Sequence, residues 1–127
     1  MSLDINPVVP NDRQLIQAYG DGRFKVSGEV YEGSILIFPE RTERWSAGDC
    51  GTIDLPALDA VVAENDAVDL LLIGCGPRFT AVPKGLRDAL KHAGIVLEWM
   101  DSGAACRTFN VLVAEERRVA AAIVAVD

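Results

Sequence analysis

The apolar run VDLLLIGCG at residues 68–76 is the segment that most restricts the fold of this chain. It carries a single acidic residue and ends in glycines, a pattern typical of a β-strand whose two faces are both covered. A strand of this kind needs packed elements on each side of its sheet. The run therefore predicts a central strand of an α/β sheet.

Helices and strands alternate around this run. The segment DLPALDAVVAEN predicts a short helix before it, PKGLRDALKHAG predicts a second helix after it, and IVLEWM predicts the next strand. A third helix is expected from a cap at Asp101 or Ser102 to about Glu116. The apolar segment RVAAAIVAV then closes the order as a strand, so that the C-terminal half is a βαβαβ unit.

The N-terminal half has the period of antiparallel strands. Residues 23–38 alternate apolar and charged positions before a Ser27–Gly28 turn, which predicts a hairpin. An irregular strand is expected to follow and to end at Gly48 or Gly51. Residues 1–22, rich in Pro, Asn, Asp and Gly, are expected to form an irregular lead-in with one short ordered piece near LIQAYG.

These segments together predict a single α/β domain over residues 1–127 with a mixed sheet. We expect the helices on one face of that sheet and the N-terminal antiparallel hairpin partly across the other. The strands at 69–74 and 95–99 form a right-handed crossover unit if they are parallel neighbours.

The charge balance excludes two classes of partner. The chain has 19 acidic and 12 basic residues and a formal net charge of −7, which disfavours nucleic acid and anionic membrane surfaces. No apolar run reaches the roughly 18 residues that a membrane span needs, and the start lacks the pattern of a signal peptide. We therefore expect a cytoplasmic protein without direct membrane insertion.

The cysteines and the histidine argue against metal and disulfide sites. Cys50, Cys75 and Cys106 are odd in number, no two are spaced as CxxC, and His92 is the only histidine. The loop GCGPRF matches only the first half of GxGxxG, because Phe79 stands where the last glycine belongs. We therefore expect neither a metal nor a cofactor.

Two loops are expected at the carboxyl ends of neighbouring strands, where open α/β sheets bind ligands. They are GCGPRFTAVPKG and MDSGAACR. Parallel pairing of their strands would bring the N-termini of two helices to one crevice and favour an anion there. The residues predicted to line this ligand- or partner-binding crevice are Gly74, Cys75, Gly76, Pro77, Lys84, Arg87, Asp101, Ser102, Cys106, Arg107 and Asn110.

Cys106 and Arg107 each leave two roles open. A position near a helix N-terminus can lower a thiol pKa and make Cys106 a nucleophile, but no base is evident and free cysteines are commonly buried, so a place in the wall is favoured. The same applies to Cys75. The positive charge of Arg107 is unfavourable near the N-terminus of a helix unless a partner neutralises it. That partner is either a carboxylate, Asp101 or Glu98, or a bound ligand.

Three short motifs, LLIGCGP, EWMD and AACRTFNVL, carry a resemblance that covers residues 15–126. They resemble a family of uncharacterised Mth-type domains that includes the mitochondrial respiratory complex I assembly factor 3 and the adipogenesis-associated Mth-type domain protein. The resemblance implies a three-layer α/β domain of β/β/α type and no established enzyme activity. The matching motif residues are Gly74, Gly76, Pro77, Asp101, Cys106, Arg107 and Asn110.

Three functions are compatible with these residues. The first is a non-catalytic binding or assembly protein whose partner, as the resemblance implies, is a respiratory or membrane-complex subunit. The second is a small-molecule (anion) binding protein or small thiol enzyme, in which Lys84, Arg87 and Arg107 hold an anion and a cysteine reacts. The third is a packed turn cluster without a ligand. Both a monomer and a homodimer are allowed.

Overall fold

The computed structural model describes residues 13–46 and 53–127. The strands of these residues are β1 (Ile16–Gly20), β2 (Arg23–Val26), β3 (Glu29–Glu32), β4 (Ile35–Ile37), β5 (Thr42–Arg44), β6 (Leu70–Gly74), β7 (Val96–Met100) and β8 (Val119–Ile123). The helices are α1 (Asp59–Val62), which follows a 3-10 turn at Pro56–Leu58, α2 (Leu86–His92) and α3 (Ser102–Ala114). None of the helices in the two described ranges has the length and apolar character needed to cross a membrane.

The strands form two sheets. A three-stranded antiparallel sheet has the order β1-β2-β3, and a five-stranded mixed sheet has the order β5-β4-β8-β6-β7. Strand β6 runs parallel to both of its neighbours, β7 and β8, whereas β4 is antiparallel to β8. The predicted mixed α/β fold and the parallel pairing of the two crevice strands are therefore confirmed.

The predicted hairpin is formed by β2 and β3 around the Ser27–Gly28 turn. Both turn residues have positive φ angles, 47° at Ser27 and 88° at Gly28, the conformation that tight two-residue hairpins require. The last strand of the N-terminal half is β5, whose predicted end at Gly48 or Gly51 lies outside the described residues, as does Cys50.

Strand β1 lies within the segment predicted to be an irregular lead-in. It coincides with the short ordered piece expected near LIQAYG, while residues 1–12 lie outside the described residues. Only Ile16 of β1 is buried, so the strand has no alternating apolar pattern from which to predict it. Its pairing with β2 across the Asp21–Gly22 turn holds it in place instead.

Each face of the five-stranded sheet carries its own apolar cluster. One cluster packs α1 and α2 against the sheet through Val61, Leu86 and Leu90. The other packs α3 and the three-stranded sheet against the opposite face, with Phe24 and Phe109 fully buried between them. The expectation that all helices lie on one face is therefore wrong, since α3 shares its face with the small sheet.

The order of the strands explains the position of α3. The chain passes from β6 to its neighbour β7 through α2, and it then returns past β6 to reach β8 through α3. Crossovers between parallel strands are right-handed in nearly all proteins, so two crossovers in opposite directions place their helices on opposite faces.

Candidate functional site

The two predicted loops meet at the carboxyl ends of β6 and β7. Gly74 at the end of β6 stands opposite Met100 at the end of β7. The ladder continues one residue further, because the Cys75 N–H donates to the Met100 carbonyl oxygen at 2.8 Å. The beginning of α3 is thereby brought directly over the glycines that end β6.

A buried hydroxyl ties this edge together. Ser102 is fully buried; its Oγ accepts a hydrogen bond from the Gly76 N–H at 3.0 Å and donates one to the Val124 carbonyl oxygen at 2.6 Å. The Ser102 N–H also donates to the Gly76 carbonyl oxygen at 2.8 Å. One residue thus joins the ends of β6 and β8 to the first turn of α3.

The N-terminus of α3 is capped by a carboxylate of the chain itself. The carboxylate of Asp101 accepts a hydrogen bond from the Ala104 N–H at 2.9 Å and caps α3. Asp101 therefore supplies the negative charge that this helix terminus favours.

Burial makes the Cys106 thiol a poor nucleophile. Its residue is 3% exposed, and desolvation raises the pKa of the thiol to about 12, against a smaller lowering by the Arg107 charge. Cys75 is half-buried, and its thiol donates to the Arg78 carbonyl oxygen at 3.3 Å. The two cysteines are both free.

Arg107 does not have the carboxylate partner that the sequence predicts. Among the described residues it forms no ion pair with Asp101 or Glu98. Asp101 is used as the cap of α3, and the Arg107 guanidinium instead donates to the Tyr19 hydroxyl at 3.4 Å. Arg107 therefore points toward β1 and remains exposed.

The two cations of the α2 region lie apart from Arg107. Helix α2 packs on the face of the sheet opposite to α3. The Arg87 guanidinium donates to the Leu97 carbonyl oxygen at 2.6 Å, and Lys84 is exposed. The structure therefore does not bring Lys84, Arg87 and Arg107 together as one anion pocket.

Asn110 links α3 to the first strand. Its side-chain Oδ1 accepts from the Ile16 N–H at 2.9 Å, and its Nδ2 donates to the Ile16 carbonyl oxygen at 2.8 Å. Beside these bonds lies a groove of about 320 Å³, here called the β1–α3 groove. It is lined by Ile16, Gln17, Ala18, Tyr19, Cys106, Arg107 and Asn110. The β1 residues were missed in the sequence, where no polar or apolar pattern marks them.

A smaller cavity of about 220 Å³ lies on the other side of the GCGP loop. Cys75, Trp99 and Pro83 are among its lining residues. The Trp99 indole donates to the Thr80 carbonyl oxygen at 2.7 Å and fixes the loop that covers the cavity. The described residues contain no group of three or more His, Cys, Asp or Glu side chains that could hold a metal ion.

Sequence comparison relates the chain to proteins of similar size and to longer ones. A family model described as "Protein of unknown function (DUF498/DUF598)" matches residues 16–124. An uncharacterized protein of Rhodobacter capsulatus is 41% identical over 108 residues, which cover 85% of this chain and 82% of that protein. The NADH dehydrogenase [ubiquinone] 1 alpha subcomplex assembly factor 3 of Xenopus tropicalis is 28% identical over 109 residues, 86% of this chain but only 60% of the relative.

Solved structures with the same fold are also found. A crystal structure from Bartonella henselae, described as an outer membrane protein, superposes with a TM-score of 0.84 at 35% identity, over 96% of this chain and 99% of that one. A Mth938-like domain of Bordetella pertussis, solved by NMR, gives a TM-score of 0.76 at 26% identity, over 98% and 92% of the two chains.

Proposed function

We propose that this chain, which belongs to the family of proteins of unknown function DUF498/DUF598, is a non-catalytic binding protein that assists the assembly of a larger protein complex. Relatives named as NADH dehydrogenase assembly factors support this role. The chain spans about 60% of the length of these relatives, so their role does not transfer to it directly. We therefore propose, as a further part of this function, that its partner is a subunit of a respiratory or membrane complex.

The orientation of the AACRTFNVL motif is the observation that carries this proposal. Helix α3 turns the Cys106 thiol inward, where burial raises its pKa to about 12. The same helix turns Arg107 and Asn110 toward the β1–α3 groove. The motif thus presents the Arg107 guanidinium at the surface, whereas the Cys106 thiol borders the groove but is buried. This arrangement is suited to contact rather than to covalent chemistry.

Binding of a small anion is the second candidate, and the cavity beside Cys75 is the feature that favours it. Its volume of about 220 Å³ is below the roughly 300–1,000 Å³ of typical small-molecule sites. Among the residues that the structure describes, no arginine or lysine lines it. The cavity beside Cys75 therefore supports anion binding less well than the β1–α3 groove supports a protein partner.

The test is capture of the protein at native expression from its own cells, with mild cross-linking and mass spectrometry. We expect a stoichiometric protein partner that is lost in Arg107→Ala and retained in Arg44→Ala. Arg44 is a matched control, because it is an exposed arginine on the edge strand β5, outside the groove. A partner retained equally by both variants would contradict the role given to Arg107. A protein recovered alone would contradict the assembly function, and a thermal-shift screen of anions would then test the second candidate.

The proposal places the protein in the cytoplasm, as a monomer or a homodimer. The free thiols of Cys75 and Cys106 support a reducing compartment. Light scattering coupled to size-exclusion chromatography distinguishes the two oligomeric states, and cell fractionation tests the compartment.

A further inference from the structure

Strand β1 is an edge strand whose open side faces α3. In the described residues its sheet neighbour is β2 alone. On the other side, the Asn110 carboxamide exchanges two hydrogen bonds with the backbone N–H and C=O of Ile16. A residue of a neighbouring antiparallel strand makes the same pair of bonds. The side chain of α3 therefore acts at one position as a substitute for a further strand.

Among the described residues, the Asn110 side chain bonds to Ile16 alone. The pairing of β1 with β2 shifts register between Ile16 and Ala18, and the strand then continues to Gly20. Gln17, Ala18 and Tyr19 are exposed and line the β1–α3 groove. Tyr19 is 42% exposed, and its ring rests over Gly103, where a β-carbon would stand 2.6 Å from the tyrosine hydroxyl. An exposed strand edge beside a groove is the feature to which extended peptides bind by strand addition.

The charge of the groove selects the chemistry of its occupant. Among the described residues that line the groove, Arg107 is the one that carries a charge. Three arginines elsewhere in the described chain are paired with carboxylates: Arg13 with Glu40, Arg41 with Glu64, and Arg118 with Asp69. Arg107 has no such pair among the described residues. Its contact with the Tyr19 hydroxyl, at 3.4 Å, is long for a hydrogen bond.

We propose that the β1–α3 groove binds an extended segment of a partner protein as an additional strand on β1, with one Asp or Glu of that segment against Arg107. This inference rests on the proposed binding function and deepens it by specifying the partner's chemistry. Because the chain has a net charge of −7, it repels further acidic residues in the segment, and we expect one acidic residue at the position opposite Arg107. The flanking residues are apolar or β-branched, to suit a strand beside Ala18 and the Tyr19 ring.

The test does not depend on knowing the partner. The purified full chain is panned against a phage-displayed library of random peptides of about 12 residues, long enough for one strand. Selected peptides are expected to carry Asp or Glu at one fixed position among strand-forming residues. On their binding, the amide signals of Gln17, Ala18 and Tyr19 are expected to shift in NMR spectra of the labelled protein.

Charge variants supply the quantitative comparison. Arg107→Glu is expected to raise the Kd of the selected peptides about tenfold or more, because an attractive pair becomes a repulsive one. Arg107→Lys is expected to cause a smaller loss, and Arg44→Glu none. Circular dichroism of each variant controls for folding, to which the exposed Arg107 side chain contributes little.

The outcomes separate this inference from the proposed function. The inference is overturned if no peptide is selected, if the peptides share no acidic position, or if Arg107→Glu binds them as well as the wild type. It is also overturned if the shifted amides lie outside β1 and α3. If a native partner is nevertheless captured by cross-linking, the proposed function survives without it. If peptides with an acidic position are selected but no native partner is captured, the inference that the β1–α3 groove binds an extended segment is supported. The proposed assembly function is then contradicted.

Discussion

A β-carbon on Gly74 would stand 2.8 Å from the Cα atom of Ser102, so the end of β6 and the start of α3 are in contact through their backbones. The same β-carbon would lie 2.9 Å from Cγ2 of Ile123. These distances are shorter than real β-carbons show, and a backbone atom cannot move aside as a flexible side chain can. Glycine at this position is therefore required by the packing of three elements.

Gly74→Ala is accordingly expected to destabilise the protein by about 1–3 kcal/mol, the usual cost of overpacking a core. The added methyl must push α3 away from the sheet, because Ala105 also lies within 3.1 Å of its position. Urea denaturation followed by circular dichroism measures the loss. An unchanged midpoint would mean that α3 can move off β6 at no cost.

Ser102→Ala is expected to cost about 1–3 kcal/mol, because it leaves one buried and one partly buried backbone group without a side-chain partner. These are the N–H of Gly76 and the C=O of Val124. The matched control is Ser27→Ala, which removes an exposed hydroxyl that accepts from the Leu15 N–H and that water can replace. Equal losses in the two variants would contradict the role of burial. Thermal or urea unfolding measures both.

Cys106 is expected to make the free energy of unfolding depend on alkaline pH. Its pKa is raised from 9.0 to about 12 in the folded protein, so between these values the unfolded chain releases a proton that the folded chain keeps. The contribution is therefore complete below 9.0 and is lost as the pH rises toward about 12.

The measurement compares wild type with Cys106→Ala, since other groups also titrate in this range. The difference between their urea midpoints is expected to change between about pH 8 and about pH 10, with wild type losing more stability. In the native protein, peptide mapping after iodoacetamide treatment is expected to show slow modification of Cys106 until the chain unfolds. Rapid modification of native Cys106 at neutral pH would support a thiol enzyme instead.

Asn110→Ala is expected to release the first strand from α3. Both backbone groups of Ile16 lose their partners, which costs about 1–3 kcal/mol. Hydrogen exchange at the Ile16 amide is expected to accelerate more than exchange in β6. Asn65→Ala is the control, because Asn65 makes one exposed hydrogen bond to the Ala93 carbonyl oxygen. A uniform acceleration would indicate global destabilisation rather than release of β1.

The elements that local rules specify could be predicted from the sequence. The apolar run of β6, the Ser27–Gly28 turn and the cap at Asp101 each depend on residues close together in the chain. The segment PKGLRDALKHAG predicts that α2 starts at Pro83. The helix begins at Leu86 instead, because Gly85 has a φ of 83°, which is not helical. Boundaries of this kind depend on single dihedral angles.

The features that depend on the order of the strands could not be predicted. The residues of α3 do not indicate that β8 pairs with β6 on the side away from β7. That strand order determines the face of the sheet on which α3 packs. The same limit applies to the site. The Asp101 carboxylate caps α3 and does not pair with Arg107. Arg107 contacts Tyr19 instead, which is 88 positions away in the chain.

The position of β8 has a consequence for how this molecule is made. It is the last strand in chain order within the described residues, yet it stands in the middle of the five-stranded sheet, between β4 and β6. During translation, β4 is synthesised long before β8. Leu36 of β4 therefore cannot pair with Ala122 of β8 until nearly all the described residues have been made. Until then the halves of the sheet have no common strand, and the exposed apolar edges are vulnerable to aggregation. Maturation of the native state is therefore a late event that follows translation of nearly all the described residues.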